Sequence, residues 1–196
     1  SSRRRHTRSS VESRGLGDVY KRQDMGDLYL PFLKLIPDGG KILDVGCGSG
    51  RDTKFFKDQG YSVVAFDYSA EIVKLASGYT GEPVLRMSFD DVAFENEFDG
   101  IWACASILHV PRNEINGVLG KLSRALKEDG ILYTSFKYGD AEEVRKGRLF
   151  SDFTESSFQI ILETVPNLKM IKHWKTVDAR PDRKDEFWLN MLLQKV

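Results

Sequence analysis

From Lys41 to Val165 the chain alternates between two hydrophobic periods. Apolar runs of strand length, "KILDV" (41–45), "YSVVAF" (61–66), "PVLRM" (83–87), "FDGIWACA" (98–105) and "ILYTSF" (131–136), are separated by amphipathic runs of helical length at 51–60, 69–78, 113–127 and 154–165. A further helical run, 27–36, precedes them with Pro31 near its start. Ser69 reads as an N-cap, Gly78 as the end of the same helix, Thr154 as the opening of the last helix, and "EDG" (128–130) as a turn. Strands alternating with helices pair through crossovers, which makes them parallel and covers both faces of the sheet with helices. The pattern breaks at the end. "LKMIKHWKT" (168–176) and "EFWLNMLLQKV" (186–196) are joined by "VDARPDRKD", too short for a crossover helix, so these two strands run antiparallel. The expectation is an α/β domain: a doubly wound, mostly parallel seven-stranded sheet whose last strand is antiparallel.

At 196 residues, with 41% hydrophobic and 30% charged residues, the chain suits one domain with its own core. No apolar run approaches the roughly 20 residues that cross a bilayer. The two cysteines, Cys47 and Cys104, lack metal-ligand or C-x-x-C spacing, which argues against a disulfide scaffold, a zinc domain or a redox pair and fits a reducing cytoplasm. Charge is divided unevenly. Residues 1–23 hold seven basic and two acidic side chains; because the whole chain balances at 29 of each sign, residues 24–196 carry a net −5. An acidic body is not drawn to phosphate backbones by bulk charge, so nucleic acid is not the expected partner. The leader has neither a hydrophobic region nor an apolar period. It resembles translated sequencing-adapter sequence, and the expectation is a disordered, non-native segment ahead of a single domain over 24–196.

The first strand ends in "DVGCGSGRD". Ligands of doubly wound sheets bind outside the carboxyl ends of the strands, where strand order reverses. Gly46, Gly48 and Gly50 allow a tight turn and close backbone approach, and the next helix offers free N–H groups to an anion. A dinucleotide fingerprint needs glycine at its sixth position; here Arg51 stands there. Asp44 also opposes a pyrophosphate, whereas it suits a ligand carrying an ammonium. Asp67, 21 positions after Gly46, ends the second strand where a carboxylate accepts from ribose hydroxyls. S-adenosylmethionine has this ammonium, a carboxylate for the helix start, a ribose, and no phosphate.

"ILDVGCGSGRD", "FDYS", "FDGIWACASILHVP" and "LKEDGILYTSFKYG", in that order, resemble a class I S-adenosylmethionine-dependent methyltransferase, with the nearest likeness to small bacterial methyltransferases of the tellurite-resistance type. The resemblance runs from about Met25 to the C-terminus. It implies that Asp44, Gly46, Cys47, Gly48 and Gly50 wrap the methionine part, that Asp67 holds the ribose and that Tyr68 flanks the adenine. It assigns Ser88, Phe89 and Asp90 to the adenine edge, with Ser88 standing where many relatives carry Asp, and Ala103 and Cys104 to the methionine side. It also implies a further covering helix ahead of residue 24, where this chain has the leader, so that the domain reads as truncated there.

The same residues carry plainer readings. Cys47 and Cys104 serve as small packing residues. His173 reads as a surface or edge residue, and "RKGR" (145–148) as a solvated basic run. His109, just past the fourth strand, is either a general base for a methyl acceptor or a histidine that bonds the loop before Pro111. Lys137 at the end of strand five, Arg148 in the long 140–152 connection and Arg180 after strand six fall at the cofactor's edge of the sheet. They either bind an anionic acceptor or pair with nearby acids such as Asp182, Asp185, Glu142 and Glu143. The functional expectation is methyl transfer to a small-molecule acceptor. A nucleic-acid methyltransferase and a non-catalytic sensor of the cofactor are the alternatives; "ACASILH" lacks the [DNS]-P-P-[FYW] segment of amino-methyltransferases acting on DNA bases.

Overall fold

A computed structural model describes residues 25–196. The expectations for the leader, and for a helix ahead of residue 24, lie outside the described residues. Chain order is α1 (Gly26–Leu33), β1 (Lys41–Val45), α2 (Arg51–Asp58), β2 (Ser62–Asp67), α3 (Ala70–Thr80), β3 (Leu85–Arg86), β4 (Phe98–Ala103), α4 (Ile115–Ala125), β5 (Leu126–Lys137), β6 (Glu142–Arg145), β7 (Arg148–Ser151), α5 (Glu155–Leu162), β8 (Leu168–Val177) and β9 (Phe187–Lys195). Seven strands form one sheet in the order β3-β2-β1-β4-β5-β9-β8. β9 is antiparallel to both of its neighbours, so β8 runs with the other five and only the last strand is reversed. Strand order turns back between β1 and β4, which puts the glycine loop at the switch point.

Successive strand residues point to opposite faces. Ile42, Trp102, Ile131 and Tyr133 meet Phe32 of α1 and Phe56 of α2 on one side, with Trp102 stacked on Tyr133 at 3.8 Å. Leu43, Ile101 and Leu132 meet Leu119 and Leu122 of α4 and Phe158 of α5 on the other. At about 1.5–3 kcal/mol for each large apolar side chain taken fully from water, the aromatic layer of Phe32, Phe56 and Trp102 is what holds the short α1 down. Asp44 shares its strand face with Ile42. It therefore points under α2 into this same layer and is 2% exposed.

The structure redraws four local expectations. α3 runs through Gly78 and stops at Gly81, whose φ of +73 suits a left-handed cap. The expected turn at 128–130 is an excursion within β5: Phe98 and Gly100 of β4 face Leu126 and Ile131, and Asp129 takes a φ of +61 between them. β3 is reduced to Leu85–Arg86, the two residues that pair with β2. The connection over 140–152 folds as the β6–β7 hairpin. Its two-residue turn, Lys146–Gly147, has φ of +50 and +77, and both residues at positive φ is the geometry that matches the twist of a hairpin.

Candidate active site

The glycine loop leaves β1 with Gly46, Gly48 and Gly50 at φ of +67, +55 and +82. Only glycine takes that conformation without strain. Gly46 has a second reason to be bare: a Cβ there would lie 2.6 Å from the Cβ of Ser106. At the end of β2, Asp67 closes the loop from the side. Its carboxylate accepts from the Gly48 N–H at 3.1 Å and the Ser69 N–H at 3.0 Å. A carboxylate has about four acceptor positions, so capacity is left for hydroxyl donors.

Asp44 accepts from the Thr53 hydroxyl at 2.5 Å. Burial pushes its carboxyl up to about 8, and the neighbouring Asp52 charge adds to the shift, against Thr53 and Arg51. Among the described residues Asp44 makes no ion pair. Asp52, by contrast, is engaged by three donors: Tyr29 donates to Oδ1 at 2.6 Å, Arg51 Nε to the same oxygen at 2.6 Å, and Trp102 Nε1 to Oδ2 at 2.8 Å. Sequence reasoning passed over Asp52, Tyr29 and Trp102. Asp52 stands in the first turn of α2 as any helix-start acid would, and the partners that bury it come from 23 and 50 residues away.

An open depression of about 110 Å³ is lined by Tyr68, Arg86, Met87, Ser88 and Asp91. Tyr68 is 75% exposed at its lip. Ser88 caps the short turn that follows β3, accepting from the Asp90 N–H at 3.2 Å while donating to Asp91 at 2.8 Å. Phe89 lies edge-on to Phe66 of β2 at 6.0 Å. Asp90 turns to Lys121 at 2.9 Å, so the carboxylate beside the depression is that of Asp91. Ala103 is fully buried at the end of β4. Burial raises both thiols, Cys104 to about 12, so each stays protonated and acts as a packing group.

His109 meets the hairpin, and not the loop before Pro111. Its Nδ1 is 2.7 Å from the Leu149 carbonyl oxygen and its ring is edge-on to Phe150. A carbonyl only accepts, so Nδ1 carries the proton in the neutral ring and Nε2 keeps a lone pair. Burial holds the imidazole below its ordinary value; the Leu149 bond opposes this and the Arg148 charge reinforces it. The hairpin is tied to the same loop, with Ser151 donating to the Val110 carbonyl at 2.9 Å and Arg112 reaching Asp140 and the Asp152 carbonyl.

The three rim cations do not act as a set. Lys137 is buried, with Nζ 2.5 Å from Asp178 and 2.6 Å from Glu186, and it lies over the Trp188 ring. Arg180 makes a two-pronged pair with the same Asp178 at 2.8 and 2.6 Å. Their partners are thus not the acids weighed from sequence. Nothing in "VDARPDRKD" marks Asp178 as the one that faces inward. Of the basic run, Arg145 pairs with Glu143 and Asp152. Arg148 makes no ion pair among the described residues.

Residues 43–134 match the Methyltransf_11 family, described as a methyltransferase domain. A relative named only as an uncharacterized methyltransferase, from Staphylococcus carnosus, is 28% identical over 182 residues, 86% of this chain and 88% of its own length. The chain spans about half the length of two other curated relatives it matches, 47% and 46%. Among solved structures, Burkholderia thailandensis 1,6-didemethyltoxoflavin-N1-methyltransferase, with bound 1,6-didemethyltoxoflavin and S-adenosylhomocysteine, superposes with a TM-score of 0.76 at 22% identity, covering 93% of this chain and 83% of that one. A TehB-like S-adenosylmethionine-dependent methyltransferase from Corynebacterium glutamicum gives 0.71 at 22% identity, covering 94% and 96%. The sheet order is the Rossmann-like architecture of those S-adenosylmethionine-dependent methyltransferase structures, and the methyltransferase-domain match falls on its β1–β5 part. No described helix is long and apolar enough to cross a membrane.

Proposed function

We propose that the chain transfers a methyl group from S-adenosylmethionine to a nucleophilic atom of a small-molecule acceptor, and that it works in the cytoplasm. One observation carries this reading. Two strand-end carboxylates, Asp44 and Asp67, bracket a loop of three left-handed glycines at the switch point of the sheet. That pair of acceptors matches an ammonium at one end and a ribose at the other, while Arg51, the cation next to the loop, is held by Asp52. The cofactor supplies an electrophilic methyl on a sulfonium. The chain's residues would do the rest: Asp44 meets the ammonium, the N–H groups at the start of α2 meet the carboxylate, and Asp67 accepts from the ribose. Tyr68, Ser88 and Phe89 border the adenine. Aligning the partners is most of what such a reaction needs.

His109 is the proposed general base, held by the Leu149 carbonyl with Nε2 unprotonated near neutral pH. Arg148, whose charge is felt by His109 and which makes no ion pair among the described residues, supports an acceptor carrying a carboxylate or oxyanion. Lys137 and Arg180 are left out of that role because Asp178 and Glu186 neutralise them. Kinship with the tellurite-resistance type is part of the reading, supported by the two-way coverage with the TehB-like structure. The test is release of S-adenosylhomocysteine over a panel of anionic, neutral and cationic metabolites. Turnover on an anionic acceptor is expected. Binding without turnover on any acceptor identifies a sensor, and turnover only on nucleic acid moves the acceptor class.

A further inference from the structure

His109 is fixed from outside its own segment. The stretch that carries it leaves β4 and enters α4, yet the bond that sets its ring comes from the β6–β7 hairpin, through the Leu149 carbonyl. That hairpin forms a separate sheet and does not join the seven-stranded one. It has four facing pairs, and a two-stranded ribbon of that size is marginal on its own in water. Behind it, a single bridge between Tyr138 and Phe153 holds its root to the end of β5. Toward His109 its place depends on side-chain ties.

Arg112 makes most of them. Its Nη1 donates to Asp140 at 2.9 Å and its Nη2 to the Asp152 carbonyl at 2.5 Å. Asp140 precedes β6 and Asp152 follows β7, so one guanidinium spans both roots of the hairpin. The group lies over the Phe153 ring at 4.4 Å, and the Arg112 N–H donates to Glu142 of β6 at 3.2 Å. Ser151 adds one bond, to the Val110 carbonyl. Asp140 is largely exposed, so its ion pair adds little to stability. What the fork supplies is geometry: its donor directions are fixed, and they set two partners relative to each other as a flexible ammonium does not. Only Val110 and Pro111 separate Arg112 from His109, and the proline ring holds its φ at −53. The hairpin is therefore registered to the same short stretch that carries the imidazole.

We infer that Arg112 is a positioning residue for the reaction: by gripping both roots of the hairpin it keeps the Leu149 carbonyl on Nδ1 of His109 and leaves Nε2 free to take a proton from the acceptor. The inference rests on the reading of His109 as the general base and adds the residue that sets its tautomer. Arg148 stands next to Leu149 on the same hairpin. Arg112 thus also sets where the acceptor's charge is met.

The experiment is nitrogen NMR of the histidine rings in the isotope-labelled full chain at about pH 8, where an ordinary imidazole is neutral. Wild type, Arg112→Ala and Arg112→Lys are compared, and the His109 signals are those missing from His109→Ala. The wild type is expected to carry the His109 proton on Nδ1. In Arg112→Ala the proton is expected to move to Nε2 in most molecules, the tautomer that a free imidazole favours, while affinity for S-adenosylhomocysteine stays near wild type. Arg112→Lys keeps a cation near Phe153 without the fork. It is expected to shift the proton in the same direction, and it carries the test if Arg112→Ala does not fold. On an acceptor that the wild type turns over, Arg112→Ala should lower kcat by about tenfold or more and raise KM as well, because base and acceptor are both misplaced. Added to His109→Ala, it should lower kcat no further. A proton that stays on Nδ1 in both variants overturns the inference even where His109→Ala is inactive, as does a wild type with the proton on Nε2. A His109→Ala chain with undiminished turnover removes the base reading and this inference with it.

Discussion

Tyr29 of α1 donates its hydroxyl to Asp52 of α2 across 2.6 Å, and that bond fastens the first described helix to the helix that follows the glycine loop. The same carboxylate takes Trp102 of β4, so one buried acid joins three elements around the Asp44 side of the site. Tyr29→Phe keeps the ring stacked on Phe55 at 4.0 Å and removes only the donor. A loss of about 1–2 kcal/mol is expected in urea unfolding. Asp52→Ala strands the Tyr29, Arg51 and Trp102 donors together and is expected to cost more, about 3 kcal/mol or above. Equal and negligible losses in both would show that this junction does not hold α1.

The acid–base state of Asp44 has a defined sign. Its folded value of about 8 lies above the ordinary 3.8. The unliganded protein is therefore stabilised by the protonated form, and that stability is lost as pH rises from about 4 through 8. An ammonium bound beside Asp44 favours the carboxylate, so cofactor affinity should rise over the same range with release of a proton. Calorimetry in buffers of different ionisation enthalpy reads that proton directly. Asp44→Asn should abolish both the proton release and the pH slope. Identical affinity at pH 6 and pH 8 with no proton released would contradict the assignment.

For His109 the expectation is kinetic. His109→Ala should lower kcat by about 10²-fold while leaving cofactor affinity near wild type. Because burial depresses the imidazole, the acidic limb of the wild-type pH profile should fall below the ordinary value of 6.5. An unchanged kcat, or a limb above that value, returns His109 to a role in holding the hairpin.

Arg148 and Arg180 should separate. Arg148→Ala is expected to raise KM for an anionic acceptor and leave stability nearly unchanged. Arg180→Ala should leave KM alone and lower stability. Burial raises the Asp178 carboxyl, yet the bonds from Arg180 and Lys137 outweigh it and hold the group well below the usual range. That contribution is present above pH 3.8 and is lost as pH falls below it. A KM effect from Arg180→Ala equal to that of Arg148→Ala would restore the wider cationic rim.

The sheet was legible because hydrophobic period is a local property. The alternation, the short link "VDARPDRKD" and the left-handed glycines of "GCGSG" each carry their meaning within a few residues. What the sequence hid was tertiary. Asp52 and Asp178 look like solvated acids until chain from far away buries them. Lys137 looks like a free rim cation until β9 brings Glu186 and Trp188 beside it. The hairpin was missed although its signal was local: Lys146–Gly147 between residues that alternate across β6 and β7 is a two-residue turn, and the basic run drew attention to charge instead.

The central claim is that Asp44, the glycine loop and Asp67 hold S-adenosylmethionine, and the direct measurement is calorimetric binding of S-adenosylhomocysteine to the wild-type chain beside Asp67→Ala. The account predicts binding by the wild type and a loss of roughly 1–3 kcal/mol in the variant as ribose hydroxyls lose a charged acceptor. Equal affinity in both proteins, or tighter binding of NADH than of the sulfur cofactor, would contradict it.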